Sequence, residues 1–255
     1  MATYGGTRPI INNELVFTLD VGSYKCIPGS TDDISGGVRT YQNQYLCEGS
    51  NGSPGSGTHT PDTNNMPVYS SAYGGILDFS GGKGLNVVQD LGTSTVSTYS
   101  IWVLWDSGDY SNQYFFDARA NGGTWHFANY NGRNINWNQN LAYNFGGGSF
   151  SSTDWPSDEW VHIITTSDSG GSKIYVNGSN RTSDAASSSS TDEDLGKNFR
   201  IGARYTNSGK FKGKIGPIHL YKYAFTDTDA LHMFNVYKSR FNALSYDALA
   251  TKQGW

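Results

Sequence analysis

The stretch that most limits the fold of this chain is Thr98–Asp106, TYSIWVLWD. Tyr99, Ile101, Val103 and Trp105 alternate onto one face of an extended segment, and Trp102 and Leu104 onto the other. A strand that is apolar on both faces has to be covered on both sides. It therefore belongs at the centre of a sheet, inside a layered fold. A second segment sharpens this. DEWVHIITTSDSGGSKIYVNG (Asp158–Gly178) has two alternating runs around a Ser/Asp/Gly turn and ends in Asn-Gly. Such runs with a Gly-bearing linker make a hairpin, with Val161, Ile163 and Thr165 facing inward beside Ile174 and Val176.

Further strands are expected at Glu14–Asp20, Ile76–Phe79, Leu85–Val88, Tyr114–Arg119, Thr124–Tyr130, Phe199–Arg204 and Lys214–Tyr223. The two runs around Ser80–Gly84 read as a short hairpin, as do the two around Ala120–Gly123. Val21–Tyr73 and Asn131–Thr153 read as long irregular regions, and Asn51–Asn65 (NGSPGSGTHTPDTNN) has the composition of an exposed insertion. One helix is expected, opened by a capping box at Thr226 and Asp229, with Leu231, Phe234 and Phe241 at helical spacing. Gly is 32 of 255 residues and charged residues only 16%, about twice and well below the usual shares, which favours turns and strands over helices. The fold class expected is all-β: a two-sheet antiparallel jelly-roll sandwich with one short C-terminal helix. The organisation expected is an arm at 1–13, one domain at 14–241 and a tail at 242–255.

A net charge of −4 with no basic stripe argues against nucleic-acid binding. No apolar run approaches the roughly 20 residues of a membrane-spanning helix. The N-terminal stretch MATYGGTRPIINNELVF lacks the basic and apolar regions of a signal peptide, so the chain is expected to stay in a cytosol. Cys26 and Cys47 bracket a polar stretch, and either two free thiols or a disulfide fits them.

The residues offer little for catalysis. Glycoside hydrolysis needs two carboxyl groups across the scissile bond, and the four glutamates (Glu14, Glu48, Glu159, Glu193) sit in no E-x-D-x-x-E arrangement. There is no G-x-S-x-G elbow and no H-E-x-x-H spacing. His126, His162 and His219 alternate with apolar neighbours and read as ordinary sheet-surface histidines. Calcium is the one cofactor the loops suggest, at Asp106–Asp109 or Asp192–Asp194, although neither has a full binding-loop pattern. The Trp125–Phe150 region mixes aromatics with Asn and Gly, the composition of a sugar- or partner-contacting surface. Trp137, Asn138, Tyr143 and Phe145 are its candidate contact residues.

The order of four stretches resembles a family. ELVFTLDVGSYKCIPGS (Glu14–Ser30), GGILDFSGGKGLNV (Gly74–Val87), EWVHIITTSDSGGSKIYVNG (Glu159–Gly178) and FKGKIGPIHLYKYAFTDTDALHMFNVYKSRF (Phe211–Phe241) are similar to the core strands, hairpins and closing helix of laminin-G-like, concanavalin A-type domains. Marine bacteriophage structural proteins carry many such domains, and Tyr24, Pro28 and Gly29 are most like those versions. Gly81-Gly82-Lys83-Gly84 stands where relatives often have acidic residues, so the resemblance gives no calcium site here. It implies a non-enzymatic virion protein, present in many copies or as a homo-oligomer and assembled in the host cytoplasm. As a capsid decoration or appendage subunit it would dock on other virion proteins. The rival expectation, from a different class, is an adhesin that binds host-surface glycan.

Overall fold

The computed structural model describes residues 11, 14–22, 38–40, 46–49, 67–106, 113–118, 126–130, 134–137, 141–144, 158–182, 185–186, 193–194, 197–204, 206 and 208–253. Two antiparallel sheets dominate it. The eight-stranded sheet is centred on Ser97–Trp105 and Gly213–Tyr221. Val161–Asp168, Gly171–Val176 and Ser179–Asn180 follow on one side, and Ile76–Asp78, Val68–Ser70 and Leu15–Leu19 lie on the other. The nine-stranded sheet runs Ala185–Ala186, Leu141–Asn144, Asn134–Trp137, His126–Tyr130, Gln113–Asp117, Lys197–Ile201, Leu85–Asp90, Leu46–Gly49, Val38–Thr40.

The central strand behaves as its pattern requires, because all nine residues of Ser97–Trp105 are buried. Tyr99, Ile101, Val103 and Trp105 enter the core between the sheets with Phe17, Val161, Phe199 and Ile201. Edge-to-face pairs tie the layers together: Phe17 meets Phe199 at 5.1 Å and Tyr99 meets Phe116 at 5.5 Å between ring centroids. Each such fully buried side chain contributes about 1.5–3 kcal/mol.

Trp102 and Leu104 face the other way, under helix α1 (Asp227–Phe241). Phe234 and Phe241 of α1 stack on the Trp102 indole at 5.8 and 4.7 Å. The capping box is present as expected: the Asp229 N–H donates to Thr226 Oγ1, and the Thr226 N–H to Asp229 Oδ2. Pro217 sits inside the long strand Gly213–Tyr221, where a ladder donor is normally needed. A register shift between Ile215 and Ile218 accommodates it. Beside it, Gly216 lets α1 approach, since a Cβ there would lie 2.7 Å from Phe241 Cζ and 3.0 Å from Trp102 Cβ.

Several sequence expectations change. Ile76–Asp78 and Leu85–Asp90 are not a hairpin, because they belong to different sheets. The Ser80–Gly84 turn, with Gly81 and Gly82 at positive φ, carries the chain between layers. The region Asn131–Thr153, read as irregular, contains the paired strands Asn134–Trp137 and Leu141–Asn144. Alternation there is masked by Asn, which carries no strand signal of its own. The segment Asn242–Trp255, read as a tail, contains a second helix, α2 (Tyr246–Gln253), whose Tyr246 and Leu249 join the main core. Its eight residues are too few for a clear helical period. No helix among the described residues is long and apolar enough to cross a membrane.

Candidate functional site

Three strands of the nine-stranded sheet alternate apolar and polar residues in step. Leu85, Val87, Phe199, Ile201 and Phe116 point into the core. Asn86, Arg200 and Asp117 take the opposite face by pleat alternation. Cross-strand pairing sets them in one row, Asn86 opposite Arg200 and Arg200 opposite Asp117. The backbone register extends the row to Glu48 on one side and His126 on the other. A bulge helps to build it: the register of Gln113–Asp117 against His126–Tyr130 shifts between Phe127 and Ala128. Two consecutive residues, Phe115 and Phe116, therefore both reach the core, and Asp117 falls on the far face.

The row is buried, with Arg200 and Asp117 at 0% and Asn86 at 1% exposure. Arg200 Nε donates to Asn86 Oδ1 at 2.7 Å and Nη1 donates to the Arg204 carbonyl at 3.3 Å. Among the described residues, Arg200 Nη2 and Asn86 Nδ2 have no hydrogen-bond partner. Burial pulls the Arg200 pKa down to about 10, and the Asp117 carboxylate opposes that shift, so the guanidinium is charged at neutral pH. A buried donor without an acceptor costs about 1–3 kcal/mol, and more on a charged group. Structures seldom tolerate that without a reason.

A family model described as the concanavalin A-like lectin/glucanases superfamily matches residues 79–230, which span all three strands of the row. The chain belongs to that superfamily. No curated protein matches it by sequence. Solved structures share the fold. The ligand-binding domain of botulinum neurotoxin serotype D, in complex with N-acetylneuraminic acid, has a TM-score of 0.58 at 12% identity over 88% of this chain and 51% of that one. Domain 4 of the extracellular arabinanase AbnA from Geobacillus stearothermophilus, in complex with arabinotriose, has a TM-score of 0.54 at 17% identity, covering 88% of this chain and 98% of that one. The chain spans about half the length of the neurotoxin domains it matches.

Superfamily members that cleave glycans need paired carboxyl groups, about 5–9.5 Å apart. By backbone register Glu48 and Asp117 lie three strand steps apart, a backbone separation of roughly 14 Å at about 4.8 Å per step. Glu159 is engaged elsewhere, in a salt bridge with Lys252 that ties α2 to the sandwich. Glu193 pairs through its backbone with Ser94, and the Glu14 carbonyl accepts the Lys222 N–H. Among the described residues no group of three or more His, Cys, Asp or Glu could hold a metal ion. Asp106 of the first calcium candidate accepts a hydrogen bond from Ser80 Oγ at 2.8 Å, while 107–109 and Asp192 lie outside the described residues.

The candidate contact residues are placed only in part. Trp137 pairs with Phe127 and Leu141, and Tyr143 with Ile135 and Ala185, in the same nine-stranded sheet. Asn138 and Phe145 lie outside the described residues, as does Cys26, while Cys47 pairs with Arg39 and Val87.

His162 and His219 are not surface histidines. Both are 1% exposed and lie on the outer face of the eight-stranded sheet, which α1 covers. His162 stacks on Trp102 at 4.6 Å, its Nε2 is 2.8 Å from Ser100 Oγ, and its backbone N–H donates to Asn177 Oδ1. Asn177, at φ 48 in the Asn-Gly turn, donates in turn to the Leu244 carbonyl just before α2. His219 bonds Thr18 Oγ1 at 2.9 Å and the Tyr237 hydroxyl at 3.2 Å. Burial holds both imidazoles neutral. The His219 pKa falls to about 3, with Arg240 adding to the effect, and that of His162 falls well below its usual value. Ser100 and His162 resemble a nucleophile–base pair, but they are sealed under α1 among aromatic rings, so they serve packing.

Asn86 and Arg200 each carry a weak local signal in the sequence. Leu-Asn-Val and Phe-Arg-Ile each interrupt an apolar run with one polar residue at strand period. Only the register shows that those residues meet.

Proposed function

We propose that this chain is a non-catalytic glycan-binding module, and that the Asn86–Arg200–Asp117 face of the nine-stranded sheet holds the sugar. The observation that carries the reading is the row itself, with its unpartnered Arg200 Nη2 and Asn86 Nδ2. Sugar hydroxyls are acceptors of the kind these donors lack. Membership of a lectin/glucanase superfamily supports the reading, as do fold relatives solved with N-acetylneuraminic acid and arabinotriose. A glycan array probed with the full chain tests this. Binding to a defined glycan class, weakened by Arg200→Gln, is expected. A blank array, or binding unchanged by Arg200→Gln, defeats it.

The setting proposed for the module is a phage virion, where it docks on other virion proteins as a decoration or appendage subunit. The resemblance of Glu14–Ser30 to phage structural proteins supports this. Mass spectrometry of purified particles checks it, and absence of the chain from the particle ends the idea.

A further inference from the structure

We propose that Asn177-Gly178 is a modification site guarded by α2, where deamidation follows release of that helix and then prevents its return. An Asn-Gly pair is the sequence most open to this reaction, because glycine has no side chain to hinder attack by its own backbone nitrogen. The Gly178 nitrogen attacks Asn177 Cγ, a C–N bond forms, and Nδ2 leaves as ammonia with the displaced proton. Water then opens the cyclic imide at either carbonyl, giving aspartate or isoaspartate with no oxidant or reductant. In the folded domain the carboxamide is fixed from both ends. Asn177 Oδ1 accepts the His162 backbone N–H at 2.8 Å, and Nδ2 donates to the Leu244 carbonyl at 2.9 Å. The residue is 2% exposed. Its φ of 48 and the φ of 79 at Gly178 build the tight turn between Gly171–Val176 and Ser179–Asn180. Swinging Cγ over the Gly178 nitrogen requires both side-chain bonds to break.

One of those two bonds depends on α2, because Leu244 lies in the short connector between α1 and α2. The helix is anchored by Tyr246 and Leu249 in the main core, by the Arg181 guanidinium 4.1 Å above the Tyr246 ring, and by the Lys252–Glu159 salt bridge. Only two of its eight residues are buried, so it opens before the sheets do. Opening takes away the Leu244 acceptor and lets water reach the turn. The products do not fit the closed state. Aspartate at position 177 keeps an acceptor for the His162 N–H, but its second carboxylate oxygen faces the Leu244 carbonyl. Two acceptors then meet without a proton between them, in a place where a charge is not hydrated. Isoaspartate lengthens the backbone of a turn packed under α1, where even a Cβ on Gly178 would lie 3.1 Å from Leu231 Cδ1 and 3.2 Å from Phe234 Cβ. Either product therefore favours the undocked helix.

The experiment follows conversion of Asn177 by peptide mass mapping while the full chain is held in mildly alkaline buffer. The natural chain is compared with the same chain in urea and with two variants. Leu249→Ala loosens α2, and Phe199→Leu weakens the core away from it. Asn177 should convert at least about tenfold more slowly in the native chain than in urea, and Leu249→Ala should convert at least about threefold faster than Phe199→Leu. Should Leu249→Ala fail to fold, Tyr246→Leu, a milder loosening of α2, takes its place with the same direction expected. Asn177→Asp tests the second half of the proposal. Amide hydrogen exchange in α2 should speed up at least about tenfold, and by more than any change in Ser97–Trp105. Conversion as fast in the native chain as in urea would overturn the proposal. So would an α2 variant that converts no faster than Phe199→Leu, or α2 exchange unchanged by Asn177→Asp.

Discussion

Acidification should loosen the α1 face of the domain, and the size of the effect follows from His219. Its imidazole is buried between the sheet and α1, hydrogen-bonded to Thr18 and Tyr237, with Arg240 the nearby cation and Asp20 engaged with that arginine at 2.8 Å. The unfolded chain takes up a proton on His219 below about pH 6.5, whereas the folded one resists until about pH 3. The unfolded state therefore binds more protons throughout that window. Stability from this group is complete above pH 6.5 and is lost as the pH falls toward 3. At pH 4.5, two units into the window, the loss is about 2.7 kcal/mol at about 1.36 kcal/mol per unit. His162 shifts in the same direction, also because of burial. Small domains hold only about 5–15 kcal/mol, so the change is large. Urea unfolding at pH 7.5 and 4.5, comparing the natural chain with His219→Gln, isolates the term from that of the carboxylates. The variant will be weaker at pH 7.5 but should lose about 2–3 kcal/mol less on acidification. Equal losses in the two proteins would refute the reasoning.

Two packing predictions accompany it. Gly216→Ala places a methyl 2.7 Å from Phe241 Cζ and should destabilise the domain by about 1–3 kcal/mol, read as a lower urea midpoint with an unchanged slope. Leu249→Ala removes a fully buried side chain of α2 from the main core and should cost about 2–5 kcal/mol by the same assay. A cost near zero would show that the C-terminal segment is not part of the cooperative unit.

What the sequence revealed follows from the range over which its signals act. Period-two alternation is local, so Ser97–Trp105 and the hairpin Val161–Val176 were legible at nearly the right boundaries. So was the capping box of α1, which spans four residues. The choice of sheet is not local. A Gly-rich turn reads alike whether it closes a hairpin or carries the chain between layers, so the sequence does not show that Ile76–Asp78 and Leu85–Asp90 lie in different sheets. The histidines show the same limit, since a polar residue on the outer face of a sheet is solvated or sealed depending on a helix some distance away in sequence. The candidate site was least legible of all. Asn86, Asp117 and Arg200 are far apart in the chain, and only two strand registers align them. Aromatic richness instead drew attention to Trp137 and Tyr143, on neighbouring strands of the same sheet.

The most direct test of sugar binding at the row is a nitrogen-resolved NMR titration of the full chain with arabinotriose, observing the Arg200 Nε–H and the Asn86 side-chain amide. The account predicts that these signals move first and saturate together, with the Trp102 indole under α1 unmoved. Shifts confined to other parts of the molecule, with the Arg200 and Asn86 signals unchanged at saturation, would contradict it.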